Sequence, residues 1–264
     1  MYRADIRGLS VAYERRGTGP VLVLLHGFTH DSRVWRPQFE GLAKDFTVVA
    51  WDAPGAGQSS DPLEPFGTGD WADCLMGLLD DLGVQHAHVV GLSWGGIVAQ
   101  EFYRRYPSRT GSLVLADTYA GWRGSLPGPI AEERLATCLR YSELPASELV
   151  SAFLPEMFGG SATQEVQQEL ARIMSESHPV GFRLMSMSSA SDTRALLPSI
   201  RIPTLLVWGD ADARSPVSVA HQFRDSIPGA RLVIIPGAGH VSNLEAPVQF
   251  NAAVRDFCLS VSIE

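Results

Sequence analysis

The sequence predicts an α/β fold with a mostly parallel sheet, helices on both faces and an inserted helical cap. Short apolar runs alternate with stretches of helical periodicity along most of the 264 residues, which is typical of a sheet covered by helices. Residues 120–193 break this alternation, because they lack the strand signal and are helical and methionine-rich in pattern. We therefore expect a core of residues 1–119 and 194–264, with residues 120–193 forming a cap, or lid.

The first half of the predicted core alternates strands with helices. Short apolar runs predict its strands, at residues 11–15, 21–25, 47–50, 88–91 and 112–116. Longer stretches with helical periodicity predict its helices, at residues 35–43, 71–82 and 94–106. A helix between successive strands favours parallel pairing, because a parallel connection must cross back over the sheet.

The same alternation resumes after the predicted cap. Strands are expected at residues 204–208 and 231–235, with a helix at 216–226 between them and another at 247–259. Each of these strands is followed by a glycine-containing polar turn, so loops should project from one edge of the sheet.

A candidate nucleophile lies between the strand at 88–91 and the helix that follows it. The sequence Gly-Leu-Ser-Trp-Gly at residues 91–95 places Ser93 on a strand-to-helix turn. Such an elbow holds the serine in a strained conformation, and its neighbours approach so closely that glycine is needed on both sides. The motif alone is weakly specific, and a turn serine without chemistry is the alternative, so the assignment depends on further segments.

Two of those segments supply a base and an acid. A serine hydroxyl needs a base within hydrogen-bond reach, and the base needs a carboxylate to fix its tautomer. His240 ends the turn that follows the strand at 231–235, and Asp212 lies just beyond the strand at 204–208. We predict Ser93, Asp212 and His240 as the catalytic residues, in the chain order Ser, Asp, His.

An oxyanion hole is predicted from two backbone N–H groups. Donors aimed at the developing negative charge are usually the largest catalytic contribution, about 3–4 kcal/mol each. One would be the N–H of Trp94, next to the nucleophile. The other would be that of Phe28, because residues 21–28 read as a buried strand followed directly by a His-Gly turn.

These landmarks together resemble the α/β-hydrolase superfamily. The matching motifs are His-Gly-Phe at 26–28, Asp-Ala-Pro-Gly-Ala-Gly-Gln-Ser at 52–59, the serine motif at 91–96, Gly-Asp-Ala-Asp at 209–212 and Gly-Ala-Gly-His at 237–240. The resemblance implies the α/β-hydrolase fold, with a sheet of eight strands and a cap inserted after the sixth. Residues 91–118 are in addition similar to small bacterial esterases and enol-lactonases.

The resemblance also ranks the candidate acids. The family usually places its acid three residues after the glycine that closes the strand, which favours Asp212 over Asp210. Some members supply the acid from the position of Asp117, which therefore stays an alternative. His26 is expected to hold the oxyanion turn in place. The loop at 52–59 departs from phosphate-binding motifs, so no nucleotide cofactor is implied. The three cysteines, Cys74, Cys138 and Cys258, are widely separated, so neither a disulfide framework nor a zinc site is suggested, and no metal is expected.

Composition restricts the partners. The net charge is −8 and no long run of lysine or arginine occurs, so a nucleic acid or an anionic membrane surface is not expected. A neutral or uncharged substrate fits better than a polyanion. The N-terminus lacks the apolar core of a signal peptide, and no stretch reaches the ~20 apolar residues of a membrane span. We expect a cytoplasmic protein; the sequence does not indicate an oligomeric state.

The predicted substrate pocket combines site and cap residues. Phe28 and Trp94 are candidate walls, because their backbones already lie at the site. Apolar cap residues can shape the pocket, although ordinary core packing is an alternative for each. The cap candidates are Leu154, Met157, Phe158, Met174, Phe182, Met185 and Met187, of which we select Met157, Phe158, Phe182 and Met185.

A serine nucleophile favours acyl transfer, since dehalogenases and epoxide hydrolases on this fold use a carboxylate instead. The expected function is hydrolysis of a small apolar carboxylic ester or lactone, including enol-lactones and acyl-homoserine lactones, through an acyl-enzyme. Two alternatives stay open. One is C–C bond hydrolysis or haloperoxidase-like perhydrolysis on the same triad, for which Arg123 and Arg183 could bind a carboxylate. The other is a ligand receptor with residual hydrolase activity.

Overall fold

A computed structural model of the protein describes residues 1–262. Its centre is a single sheet of eight strands, as the family resemblance implied, with one strand more than the seven apolar runs predicted. The strands are β1 Tyr2–Ile6, β2 Leu9–Arg16, β3 Val21–Leu25, β4 Thr47–Trp51, β5 Ala87–Leu92, β6 Thr110–Ala116, β7 Thr204–Gly209 and β8 Arg231–Ile235.

The sheet has the order β1-β2-β4-β3-β5-β6-β7-β8. The first two strands run antiparallel to their neighbours, and all pairs from β4 to β8 are parallel. The central strands β4, β5 and β7 are buried along their whole length. This burial explains their continuous apolar sequence, because both faces of a parallel sheet are covered.

Helices flank the sheet. Before β6 and after β7 the helices are α1 Arg36–Leu42, α2 Thr68–Asp81, α3 Trp94–Arg105, α9 Val217–Ser226, α10 Ser242–Glu245 and α11 Pro247–Leu259. Helix α2 packs against α3, and α1 packs against α11. None of the helices within residues 1–262 is long and apolar enough to cross a membrane.

The segment between β6 and β7 is helical. We call its helices the inserted helices; they are α4 Trp122–Ser125, α5 Gly128–Tyr141, α6 Ala146–Phe153, α7 Gln164–Ser175 and α8 Pro179–Ser189. Helix α5 packs against α8, and α6 packs against α7. Helix α8 also contacts α3, which lies on the sheet. The inserted helices occupy the stretch where the sequence shows no strand pattern.

The register of the six parallel strands brings the loops that follow them to one edge of the sheet. Leu25 at the end of β3 pairs with Gly91 near the end of β5. Leu92 pairs with Ala116, and Gly209 pairs with Ile235. The residues directly after these strand ends therefore meet at the carboxyl edge, which is where open α/β sheets bind their ligands.

Candidate active site

Ser93 lies on a sharp turn between β5 and α3. Its backbone has φ 54° and ψ −118°, a conformation that is unfavourable for a residue with a side chain. A Cβ added at Gly91 would lie 2.4 Å from the carbonyl oxygen of Gly95, and one added at Gly95 would lie 2.2 Å from that of Leu25. The flanking glycines are therefore required by close backbone contacts on both sides of the serine.

The close approach at Gly95 gives a prediction for the fold. Gly95→Ala should lower the free energy of unfolding by about 1–3 kcal/mol, because the new methyl group displaces the backbone of the buried strand β3. Urea denaturation followed by tryptophan fluorescence measures the change. Gly128→Ala is the matched control, since a Cβ there meets no heavy atom within 4 Å. Equal stability of the two variants would contradict the contact.

The structure brings Ser93, His240 and Asp212 together. The Nε2 atom of His240 lies 2.8 Å from the Oγ of Ser93, and its Nδ1 atom lies 2.8 Å from the Oδ2 of Asp212. A carboxylate only accepts, so Nδ1–H donates to Asp212 and leaves Nε2 free to accept the serine proton. All three side chains are buried.

Both oxygens of the Asp212 carboxylate accept hydrogen bonds. Its Oδ1 atom accepts from the backbone N–H groups of Arg214 and Ser215, both at 2.8 Å. These two bonds fix the carboxylate so that Oδ2 faces His240. The loop after β7 thus orients the imidazole through a carboxylate that is itself held in place.

The other candidate acids have different partners. Asp210 is exposed and accepts from the N–H of Gly237. Asp117 is buried and accepts from the N–H of Gly209 and the hydroxyl of Ser242, at 2.9 and 2.6 Å. Burial, and next the charge of Asp212, raise the pKa of the Asp117 carboxyl well above its ordinary value. Neither carboxylate is hydrogen-bonded to His240 in the described chain.

Burial also affects the imidazole. It lowers the pKa of His240 below the ordinary value of 6.5, and the neighbouring charge of Asp212 opposes this effect without cancelling it. A lowered pKa keeps the imidazole neutral at neutral pH, which is the form that can accept a proton.

The two predicted oxyanion donors lie on the chain segments next to the serine. A Cβ placed on Gly27 would be 3.4 Å from the Cβ of Ser93, so the turn that carries Phe28 passes close to the nucleophile. The second predicted donor is the N–H of Trp94, which is the first residue of α3. Within residues 1–262, neither the N–H of Phe28 nor that of Trp94 is hydrogen-bonded to another group of the chain.

His26 has the positioning contacts expected of it. Its Nε2 atom accepts from the N–H of Ala53 at 3.0 Å, so Nδ1–H donates to the carbonyl of Gly27 at 2.7 Å. The ring thereby ties the Phe28 turn to the loop after β4. In that loop, the side chain of Asp52 accepts from the N–H groups of Ser32 and Gln58.

Aromatic side chains surround Phe28, one of the predicted oxyanion residues. The rings of Phe28 and Phe182 are stacked, with centroids 5.4 Å apart. Phe153 meets both of them edge-on, at 6.1 and 5.9 Å, and Trp122 meets Phe28 at 6.1 Å. The indole of Trp94 donates to the hydroxyl of Ser188 on α8 at 2.8 Å. The inserted helices therefore supply most of the aromatic surface next to Phe28.

The predicted methionines and Phe158 differ in how deeply they are buried. Met157 is buried and Phe158 half-buried, and their backbone lies against Gly239, beside His240. Met185 is buried in α8, where its carbonyl accepts from two serines of the same helix. Met187 is 53% exposed and does not line a buried pocket.

Several residues near the site lack any sequence motif. The carboxylate of Glu245 accepts from the N–H groups of Gly159 and Gly239, so it joins the inserted segment to the histidine loop. The remaining residues of this kind are Tyr119, Trp122, Arg134, Phe153 and Arg214. Only for Arg214 does the sequence contain a signal that could have placed it near the site, because it lies two residues after Asp212.

A cavity of about 500 Å³ lies beside these residues. Its lining includes Arg134, Phe153 and Arg214. The arginines that the sequence suggested for carboxylate binding are elsewhere: Arg123 pairs with Glu132 at the surface, and Arg183 pairs with Glu64. The two arginines of the cavity replace them as the cations nearest to the aromatic cluster.

The sequence and the structure both match known proteins. A family model described as the alpha/beta hydrolase fold matches residues 20–247. A thermophilic esterase from Thermogutta terrifontis, solved with malate bound, superposes with a TM-score of 0.92 at 29% identity, and each chain is covered fully.

Two further matches have named activities. The enol-lactonase from Burkholderia xenovorans LB400 has a TM-score of 0.87 and 25% identity, with 98% of this chain and 100% of that chain covered. The pimeloyl-[acyl-carrier protein] methyl ester esterase of Nitrosomonas europaea is 29% identical over 251 residues, which are 91% of this chain and 96% of the esterase. All of these matches extend across the serine, aspartate and histidine loops.

Proposed function

We propose, since this chain belongs to the alpha/beta hydrolase family, that it is a serine hydrolase of small carboxylic esters or lactones. The observation that supports this most is the chain of two 2.8 Å hydrogen bonds from Ser93 through His240 to Asp212. The similarity to a thermophilic esterase and to an enol-lactonase agrees with this reaction class. The fold itself permits many reactions, so the proposal depends on the site.

The first half of the proposed reaction forms an acyl-enzyme. His240 takes the proton of Ser93 as the serine oxygen attacks the substrate carbonyl. The N–H groups of Phe28 and Trp94 stabilise the resulting oxyanion. His240 then gives its proton to the leaving alkoxide, the C–O bond breaks, and the acyl group stays on Ser93.

The second half regenerates the serine. His240 takes a proton from a water molecule as that water attacks the acyl carbonyl, and it returns the proton to the Ser93 oxygen as the acid leaves. Throughout the cycle Asp212 stabilises the charged imidazole. In a lactone the leaving alkoxide is tethered to the acyl chain, so one hydroxy acid is released.

We propose that residues 120–193 act as the cap over this site. Support comes from the contacts of Phe153, Phe182 and Trp122 with Phe28. Their rings exclude water and offer an apolar surface to the acyl group. The proposed pocket residues are Phe28, Trp94, Met157, Phe158, Phe182 and Met185.

The test is product formation from a panel of short 4-nitrophenyl esters, simple lactones and acyl-homoserine lactones. We expect turnover of at least one class, and the better class separates esterase from lactonase. No turnover of any ester or lactone of the panel, or one slow event that leaves a stable complex, would favour the alternative functions and contradict the proposal.

The pH dependence follows from the lowered pKa of His240. The base works only when neutral, so kcat/KM for a neutral ester should fall toward acid pH with a midpoint below about 6.5. A pH series from 4 to 9 on a substrate without titrating groups measures this limb. A midpoint above ~7 would mean that the imidazole is stabilised in its charged form, contrary to its burial.

A further inference from the structure

We infer that the preferred ester or lactone carries a carboxylate, which binds to Arg214 and Arg134 in the cavity beside Phe28. This inference rests on the proposed function and names its substrate class. The cavity of about 500 Å³ has room for a small acid. The groups that line it, rather than its volume, identify the ligand.

Arg214 is a buried cation with an unused hydrogen-bonding edge. Its side chain is only 3% exposed, and its Nη1 atom pairs with Glu156 at 2.5 Å. Its Nε atom is buried without any hydrogen-bond partner in the described chain. A buried, unsatisfied donor is costly, and the Nε–Nη2 edge of a guanidinium matches a carboxylate with two parallel hydrogen bonds.

Aromatic rings hold this guanidinium in place. Its Cζ atom lies 5.6 Å from the ring centroid of Phe28 and 5.2 Å from that of Phe153. The backbone N–H of Arg214 is bonded to Asp212. The cation is therefore fixed between the triad loop and the proposed acyl pocket, and its orientation costs little when a ligand binds.

Arg134 supplies a second cation with only neutral partners. Its Nη1 atom donates to the hydroxyl of Tyr119 and to the carbonyl of Arg214, at 2.9 and 3.2 Å. Its Cζ atom lies 5.7 Å from the rings of both Tyr119 and Trp122. No carboxylate within residues 1–262 lies within salt-bridge distance of it.

The charges in the cavity favour a monoanion. Two glutamates line the cavity beside the two arginines. Glu156 pairs with Arg214, whereas Glu133 is exposed and forms no salt bridge with either arginine within residues 1–262. Arg134 is thus the cavity cation without a paired carboxylate, and a single substrate carboxylate would pair with it. The overall charge of −8 still disfavours a polyanion, because the repulsion grows with each added negative charge.

Ser93 and His240 do not line the cavity, but two aromatic side chains connect its arginines with the surroundings of these residues. Phe28, which contacts Arg214, follows the Gly27 turn beside Ser93. Tyr119, which contacts Arg134, lies 6.0 Å from the His240 ring. A carboxylate in the cavity would therefore be joined to the reacting carbonyl by a short apolar spacer packed on Phe28 and Phe153, as in a half-ester of a dicarboxylic acid.

The test compares two esters that differ in one charge: mono(4-nitrophenyl) adipate and its neutral methyl ester. We expect the wild type to prefer the anionic ester, mainly through KM. Arg214→Met and Arg134→Met should each reduce this preference about ten- to hundredfold. Arg214→Lys keeps the charge without the planar fork and should recover part of it. Arg140→Met, an exposed arginine on the same helix as Arg134, should leave the preference unchanged.

Calorimetric titration of Ser93→Ala with monomethyl adipate and with dimethyl adipate tests binding without turnover. The anionic ligand should bind more tightly than the neutral one, and the added Arg214→Met change should remove the difference. Equal binding of the two ligands, or a wild-type enzyme that hydrolyses both esters equally, would overturn the inference while leaving the serine hydrolase intact. Binding of the anion without hydrolysis of any ester would instead contradict the proposed function alone.

Discussion

Ser93→Ala is expected to lower kcat for ester hydrolysis about a million-fold, with little change in stability. The reason is that the acyl-enzyme requires the Ser93 oxygen, and the rest of a triad gives almost nothing once the nucleophile is gone. The residual rate should come from substrate binding and the oxyanion donors alone. Release of 4-nitrophenol from a short ester measures the change.

The control for this substitution is Ser189→Ala. Ser189 is also buried, but its hydroxyl donates to the carbonyl of Met185 within the same helix. The kcat of Ser189→Ala should stay within a few-fold of the wild-type value. A Ser93→Ala protein that is folded and retains a hundredth or more of the wild-type kcat would show that another group is the nucleophile.

Asp212→Asn should lower kcat about 10⁴-fold. The amide can donate a proton to Nδ1 of His240, which would favour the tautomer with a proton on Nε2. That tautomer cannot accept the serine proton. The two backbone donors on Oδ1, from Arg214 and Ser215, should keep the side chain in place. The substitution should therefore lower kcat and leave the unfolding temperature nearly unchanged.

Asp117→Asn is the matched comparison, because Asp117 is the other buried carboxyl near the site. Its partners are Gly209 and Ser242 instead of His240, and its raised pKa favours the neutral acid, which an amide resembles. We expect a loss of less than about tenfold, on the scale of one weakened hydrogen bond. If Asp117→Asn were the more damaging of the two, Asp117 would be the triad acid.

Most of the fold was predictable because strand and helix periods alternate clearly after residue 20. The family resemblance carried by the serine, aspartate and histidine motifs is also confirmed. Strand β1, Tyr2–Ile6, was not among the seven predicted runs. Only Ala4 and Ile6 of this edge strand are buried, so its sequence has little apolar signal. This strand joins the sheet because it pairs with β2. The turn between the two strands contains Arg7 and Gly8, which both have positive φ.

The contacts around the serine could be predicted only in part. Loops at strand ends meet through the sheet register, so the sequence placed Ser93, Asp212 and His240 near one another. The positions of Phe153, Arg134 and Arg214 depend on how the inserted helices pack on the sheet. No local motif encodes that packing, and a half-buried arginine in a helix, such as Arg134, resembles any surface arginine in sequence. The cavity that holds Arg134 and Arg214 therefore could be identified only from the three-dimensional structure.

The most direct test of the central claim is covalent capture by diethyl 4-nitrophenyl phosphate. Attack by the Ser93 oxygen on phosphorus displaces 4-nitrophenolate and leaves a stable diethyl phosphoryl group on the serine. We predict one equivalent of 4-nitrophenol per protein, complete loss of esterase activity, and the added mass on the peptide that contains Ser93. An adduct on a different residue, or full activity after one equivalent has reacted, would contradict the assignment of Ser93 as the nucleophile.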